Sequence, residues 1–112
     1  MANTFKLVNN AVMSTVAGTS DALYTVPSST TTIILGLTLC NVHTAQVLTT
    51  VEIVDTSAGI TSTVIKDAAI PVGGSLEIMS GNKIVVETTD VVKVSSSIAD
   101  KISATMSIME IT

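Results

Sequence analysis

From Ile33 onward the chain reads "IILGLTLC", in which Ile33, Leu35, Leu37 and Leu39 alternate with Gly36, Thr38 and Cys40. A helix would scatter those leucines round its circumference, whereas a strand puts them on one face, so this period of two specifies a half-buried β-strand. The same pattern closes the chain in "ISATMSIMEIT", with Ile102, Ala104, Met106 and Ile108 on one side and Ser103, Thr105 and Ser107 on the other. Valine, isoleucine and threonine make up about two-fifths of the residues, a β-branched excess that suits pleated surfaces and disfavours helices.

Between these two segments the alternation recurs in short pieces separated by turn residues. "ALYTV" stops at Pro27. "VLTTVEIVD" places Val47, Thr49, Val51 and Ile53 on one face and Glu52 on the other, and "TSAG" (56–59) leads as a hairpin into "ITSTVIKD". "AAIPV" is expected as a short strand or edge segment, because Pro71 cannot donate to a ladder. There follow "LEIM", the turn "SGN", "KIVVE", the turn "TTD" and "VVKVSSS", with "SIADK" as the last turn. About eight to ten short, mostly antiparallel strands in a chain of 112 residues predict a single all-β domain, a β-sandwich of jelly-roll-like or immunoglobulin-like topology. Residues 1–16, weakly alternating through Phe5, Leu7, Val8, Val12 and Val16 and interrupted by Asn9 and Asn10, are expected as an N-terminal arm or first strand. Residues 17–112 are expected as the sandwich.

Composition removes several classes of function. Phe5 and Tyr24 are the aromatics, so stacking platforms for bases or sugars are missing. Five lysines and no arginine stand against nine acids, for a net charge of −4, which makes nucleic acid a poor partner. No apolar run reaches the ~18 residues of a membrane span. The opening "MANTFKLVNNAVMSTV" lacks the unbroken apolar segment of an export signal, so Met1 is expected as a true start and the product as cytoplasmic at synthesis. Charged residues form only 12% of the chain, well under the ~25% usual for soluble domains, leaving little with which to coat a free monomer. Hydroxyl-rich faces with few charges favour packing against copies of the same chain or a scaffold, with Lys6, Lys66, Lys83 and Lys93 expected near strand edges.

Three places invite a chemical reading. Cys40 and His43 are three residues apart, but a metal site or a nucleophile–base pair needs further ligands or an orienting group, and the chain has no second Cys or His. Cys40 is therefore expected as a buried small residue and His43 as a loop residue. Glu77, Glu87 and Asp90 lack the cleft and sugar platforms of a hydrolase and the alternating aspartates of a calcium loop, so they are expected on solvated strand faces and turns. "PVGGS" is followed by a strand rather than a helix N-terminus, which makes Gly73 and Gly74 turn residues, not a phosphate cradle. The expectation is of no catalytic, cofactor-binding or metal-binding residues and no enzyme.

Taken in order, "LYTVPSSTTTIILGLTLCN", "IPVGGSLEI", "KIVVETTDVVKV" and "SIMEIT" form a layout. It resembles small virion structural proteins of tailed bacteriophages, notably those of cyanobacterial and marine phages. Tyr24, Pro27, Asn41, Pro71, Gly73, Leu76, Glu77, Glu87, Asp90, Lys93 and Val94 carry the resemblance. It implies a β-sandwich subunit of the virion, assembled in the host cytoplasm as a homo-oligomer, such as a trimer, and bound to the major capsid protein or another virion protein. A capsid decoration or cement protein fits best, with a tail, neck or fibre-attachment component as the alternative. A carbohydrate-binding sandwich is a second alternative, for which no exposed aromatic or calcium ligand is evident.

Overall fold

The structure is a computed structural model that describes residues 2–13, 16–79 and 83–112. Its strands are β1 (Asn3–Met13), β2 (Asp21–Thr25), β3 (Thr31–Asn41), β4 (Val47–Asp55), β5 (Ile60–Ile70), β6 (Ser75–Glu77), β7 (Ile84–Val86), β8 (Val91–Ser96) and β9 (Ile102–Ile111). No helix occurs among the described residues. The antiparallel pairs are nested: β1 with β9, β2 with β8, β3 with β6 and β7, β4 with β5. This is the pattern of one long hairpin wound on itself. The added pairs β3·β9 and β4·β8 close it into two sheets, ordered β1-β9-β3-β6, with β7 also on β3, and β2-β8-β4-β5. Of the two expected topologies, this strand order is the jelly roll.

The two sheets, here called A (with β9) and B (with β8), bury an aliphatic and methionine core. Ile34, Leu37 and Leu39 of β3 and Ile102, Met106 and Ile108 of β9 face Val47 and Val51 of β4 and Val92 and Val94 of β8, all inaccessible to solvent or nearly so. The expected inward face of β9 is therefore the observed one. The expected face of β3 is corrected at its start. A bulge between Ile34 and Gly36 shifts the register against β9, so Thr32 and Ile34 point inward before it, and Leu37, Leu39 and Asn41 after it. One inserted residue flips every side chain on one side of the bulge, which turns Ile33 and Leu35 to the outer face.

Of the two readings of "AAIPV", the edge segment is the observed one: residues 68–70 continue β5, the outermost strand of sheet B, across irregular pairing with β4. There Asp67 takes a positive φ of 48° and its N–H donates to Thr50 Oγ1 at 3.0 Å. The bulge keeps its polar backbone satisfied, so the strand survives it. "LEIM" and "KIVVE" contract to β6 and β7, and the expected "SGN" turn at 80–82 lies outside the described residues. At "PVGG" the N–H of Gly74 donates to the Pro71 carbonyl and Gly73 has φ 72°, a turn that needs glycine at its third position.

Candidate assembly face

The cross-strand register of sheet A fixes which side chains share its outer face. Phe5 of β1 stands opposite Met109 of β9, Met109 opposite Ile33 of β3, and Ile33 opposite Val85 of β7, so these four form one row across the sheet. Phe5 is 73% exposed and Val85 60%. On one side lies the row Asn3, Ile111, Thr31; on the other, Leu7, 63% exposed, opposite Ser107, which is itself opposite Gly36. Beyond it the face turns to hydroxyls and amide: Asn9, Thr105 and Thr38, then Ser103, Cys40 and Ser75. Among the described residues paired on this face, Glu77 is the one charged side chain.

Glu77 is also tied down. Its carboxylate accepts from Thr38 Oγ1 at 2.7 Å and from the N–H groups of Leu37 and Met79, both at 3.1 Å. The Thr38 hydroxyl first, and then those N–H groups, hold its carboxyl below the usual carboxylate range. It stays on the exposed face where it was expected and also acts as a clasp where β6 leaves the edge of β3.

The outer side of sheet B differs in character. Lys93 of β8 stands between Ala22 and Glu52 in register. A polar depression of about 340 Å³ is lined by Thr50, Glu52, Lys66, Asp67 and Ser95 among others. Lys66 lies on the outermost strand, as expected of an edge lysine, and Lys83 directly precedes β7, whereas Lys93 occupies an interior strand.

Lys6 takes a role that the sequence did not announce. It reaches the end of the sandwich, where its Nζ lies 2.7 Å from Glu110 Oε1. Glu110, only 5% exposed, continues the inward parity of β9. Its Oε2 accepts from the Tyr24 hydroxyl at 2.5 Å, and the Tyr24 oxygen in turn accepts from Thr32 Oγ1 at 2.9 Å. Lys6 and then Tyr24 hold the Glu110 carboxyl below its ordinary value, while burial, and then Glu110, push the Tyr24 phenol up to about 12. This lock joins β1, β3 and β9 of sheet A to β2 of sheet B. Its one sequence signal was the acid at position 110 in step with the inward residues 102–108.

The residues considered for chemistry do not converge. Cys40 is half-buried on the outer face of sheet A rather than in the core, because it follows the bulge in outward phase. His43 lies in the loop after β3, its backbone N–H held by Asn41 Oδ1. Asn41 is buried and donates to the carbonyls of Ala45, Ile70 and Pro71, so it pins loops rather than a ligand. Asp90 sits in the expected turn but is buried, not solvated: its carboxylate accepts from the N–H groups of Glu87 and Thr56. Among the described residues, no group of three or more His, Cys, Asp or Glu side chains is placed to hold a metal ion.

No protein-family model matches the sequence, and no curated protein is similar to it at the level of sequence. Solved structures share its fold. A chain of the T13 viral particle of infectious bursal disease virus superposes with a TM-score of 0.57 at 10% identity, over 96% of this chain and 30% of that one. The present chain thus spans less than a third of that viral chain's length. A chain of the acid-stable capsid of the Helicobacter pylori bacteriophage KHP30 gives a TM-score of 0.57 at 12% identity, over 97% of this chain and 90% of that one. A Bacillus endospore appendage, from a family of disulfide-linked pili, gives 0.51 at 17% identity, over 99% and 87%. At these identities the likeness is one of fold, an all-β sandwich used in viral shells and in a bacterial filament.

Proposed function

We propose that this chain is a non-enzymatic structural protein of a tailed-phage virion, most specifically a decoration or cement protein that binds the head shell in many copies. The observation that carries the reading is the likeness to the KHP30 capsid chain in both fold and length, since each chain covers nearly all of the other. The outer face of sheet A supports it, because an uncharged, partly apolar sheet face is a surface that gains by being covered. Weak contacts of this kind, repeated by symmetry over a shell, sum to a large stabilisation without any strong site. Of the two readings of residues 1–16, arm or first strand, β1 is a paired strand of sheet A with Met13 in the core. Its outward side chains are proposed as the part that reaches a neighbour, with 17–112 as the rest of the sandwich. Exposure of Phe5 and Leu7 on the edge strand β1 favours this division.

The filament likeness supports a different assembly less well. A single cysteine, Cys40, links at most two copies by a disulfide and cannot propagate a covalently joined fibre. The test of the proposal is reconstitution: phage heads lacking the protein are incubated with it, and uptake and heat resistance of the shell are measured. Saturable uptake that raises the temperature of shell disruption is expected. Uptake by tails instead of heads refutes the decoration role, and uptake by neither refutes a virion role.

A further inference from the structure

We propose that the outer face of sheet A pairs with the same face of a second copy of this chain, about a two-fold axis that passes close to Met109. Three features of the face select a copy of itself. Two-fold pairing brings a surface against its own charges near the axis, and like charges set opposite one another are costly. This face avoids that cost, since its paired positions carry one charged group, Glu77, already held by Thr38 and two backbone N–H groups. The rest of the chain supplies the net charge of −4 and the mixed charges of sheet B.

Size and arrangement agree. Strands β1, β9, β3 and the β6/β7 edge, at ~4.8 Å spacing and ~33 Å length, give roughly 600 Å² in plane before side-chain relief is counted. That approaches the roughly 800 Å² per partner of a stable interface. With the axis near Met109, the row Phe5, Met109, Ile33 and Val85 crosses its own counterpart at the centre. Leu7 and Ile111 lie beside the row, and the serines and threonines occupy the far half of the face, so the apolar contact gathers round the axis and the polar part extends away from it. Two flat sheets stack in this way at ~10 Å with strands turned by ~30°, as within a sandwich.

The inference concerns the isolated protein and stands or falls without a virion. Its test is light scattering on the purified full chain together with a symmetric cross-link. Wild type is expected as a dimer, and a Phe5→Lys, Val85→Lys double variant as a folded monomer with unchanged circular dichroism, because both side chains are exposed. In a Cys40→Ser background, Met109→Cys is expected to cross-link to itself through a short bis-maleimide, while Val91→Cys on sheet B does not. A wild type that stays monomeric up to ~100 μM, a double variant that remains dimeric, or cross-linking through residue 91 and not 109 each overturns the proposal. A monomer that still binds heads assigns the face to a shell protein instead and leaves the virion reading standing.

Discussion

Raising the pH across the ionisation of Tyr24 isolates the polar lock, because the chain has one tyrosine and no tryptophan and the tyrosinate band reports a single group. Burial, and then the negative Glu110 that accepts its hydrogen bond, raise the phenol to about 12, against ~10 in an unfolded chain. A folded value above the unfolded one adds stability at every pH below ~10, and that contribution is lost as pH rises from there through the folded value. A shift of two units corresponds to ~2.7 kcal/mol, which partial solvation of the ring reduces to ~1–1.5 kcal/mol. The assay pairs a spectroscopic titration with urea unfolding at about pH 8 and about pH 11, for wild type and Tyr24→Phe. The tyrosinate midpoint is expected well above 10 in the folded protein, and the advantage of wild type over Tyr24→Phe should shrink at the higher pH. A midpoint at the free-tyrosine value, or an advantage independent of pH, refutes the lock.

The acid side carries the opposite sign. Glu110 and Glu77 have folded values below the unfolded one, so their stabilisation is present above ~pH 4.3 and is lost as pH falls through the folded values. Urea midpoints should therefore fall on acidification, and less steeply in Glu110→Gln. Leu37→Ala should cost ~2–5 kcal/mol by leaving a cavity in the core, while Leu35→Ala, on the outward side of the bulge, should cost ~1 kcal/mol or less in the same urea titration. Equal costs would mean that the face does not switch at the bulge. Cys40→Ser should leave the melting temperature and any head binding unchanged, since Cys40 packs on the outer face beside Ser75 and Ser103.

Much of this fold is written locally. The alternation of residues 102–108, the turn glycine at 73 and the hairpin after "TSAG" each depend on a few neighbouring side chains, and each formed as the residues dictated. The bulges were not legible, because inserting one residue into a strand changes no residue type: "IILGLTL" alternates equally well with or without the switch at Leu35 and Gly36. The same holds for "IKDAAI", where a charged pair and two alanines look like a strand end, yet the strand runs on across Asp67.

Nor was the candidate face legible as a face. Phe5, Ile33, Val85 and Met109 are neighbours because β1, β3 and β7 share the register of β9 or its partner, and register across a jelly roll is set by closure of the whole hairpin. The Tyr24–Glu110 bond spans 86 residues for the same reason. An acid near the C-terminus resembles a solvated strand end until the opposite sheet supplies its donors. Asp90 illustrates a milder case. Its place in a turn was evident from "TTD", but its burial was not, because the Thr56 N–H that it accepts from arrives from another turn.

The most direct measurement is the number of copies of this chain per purified particle, set against the major capsid protein by quantitative mass spectrometry. A decoration protein predicts hundreds of copies that stay with tail-free heads. A few tens of copies that travel with the tails, or none in the particle, would contradict the account.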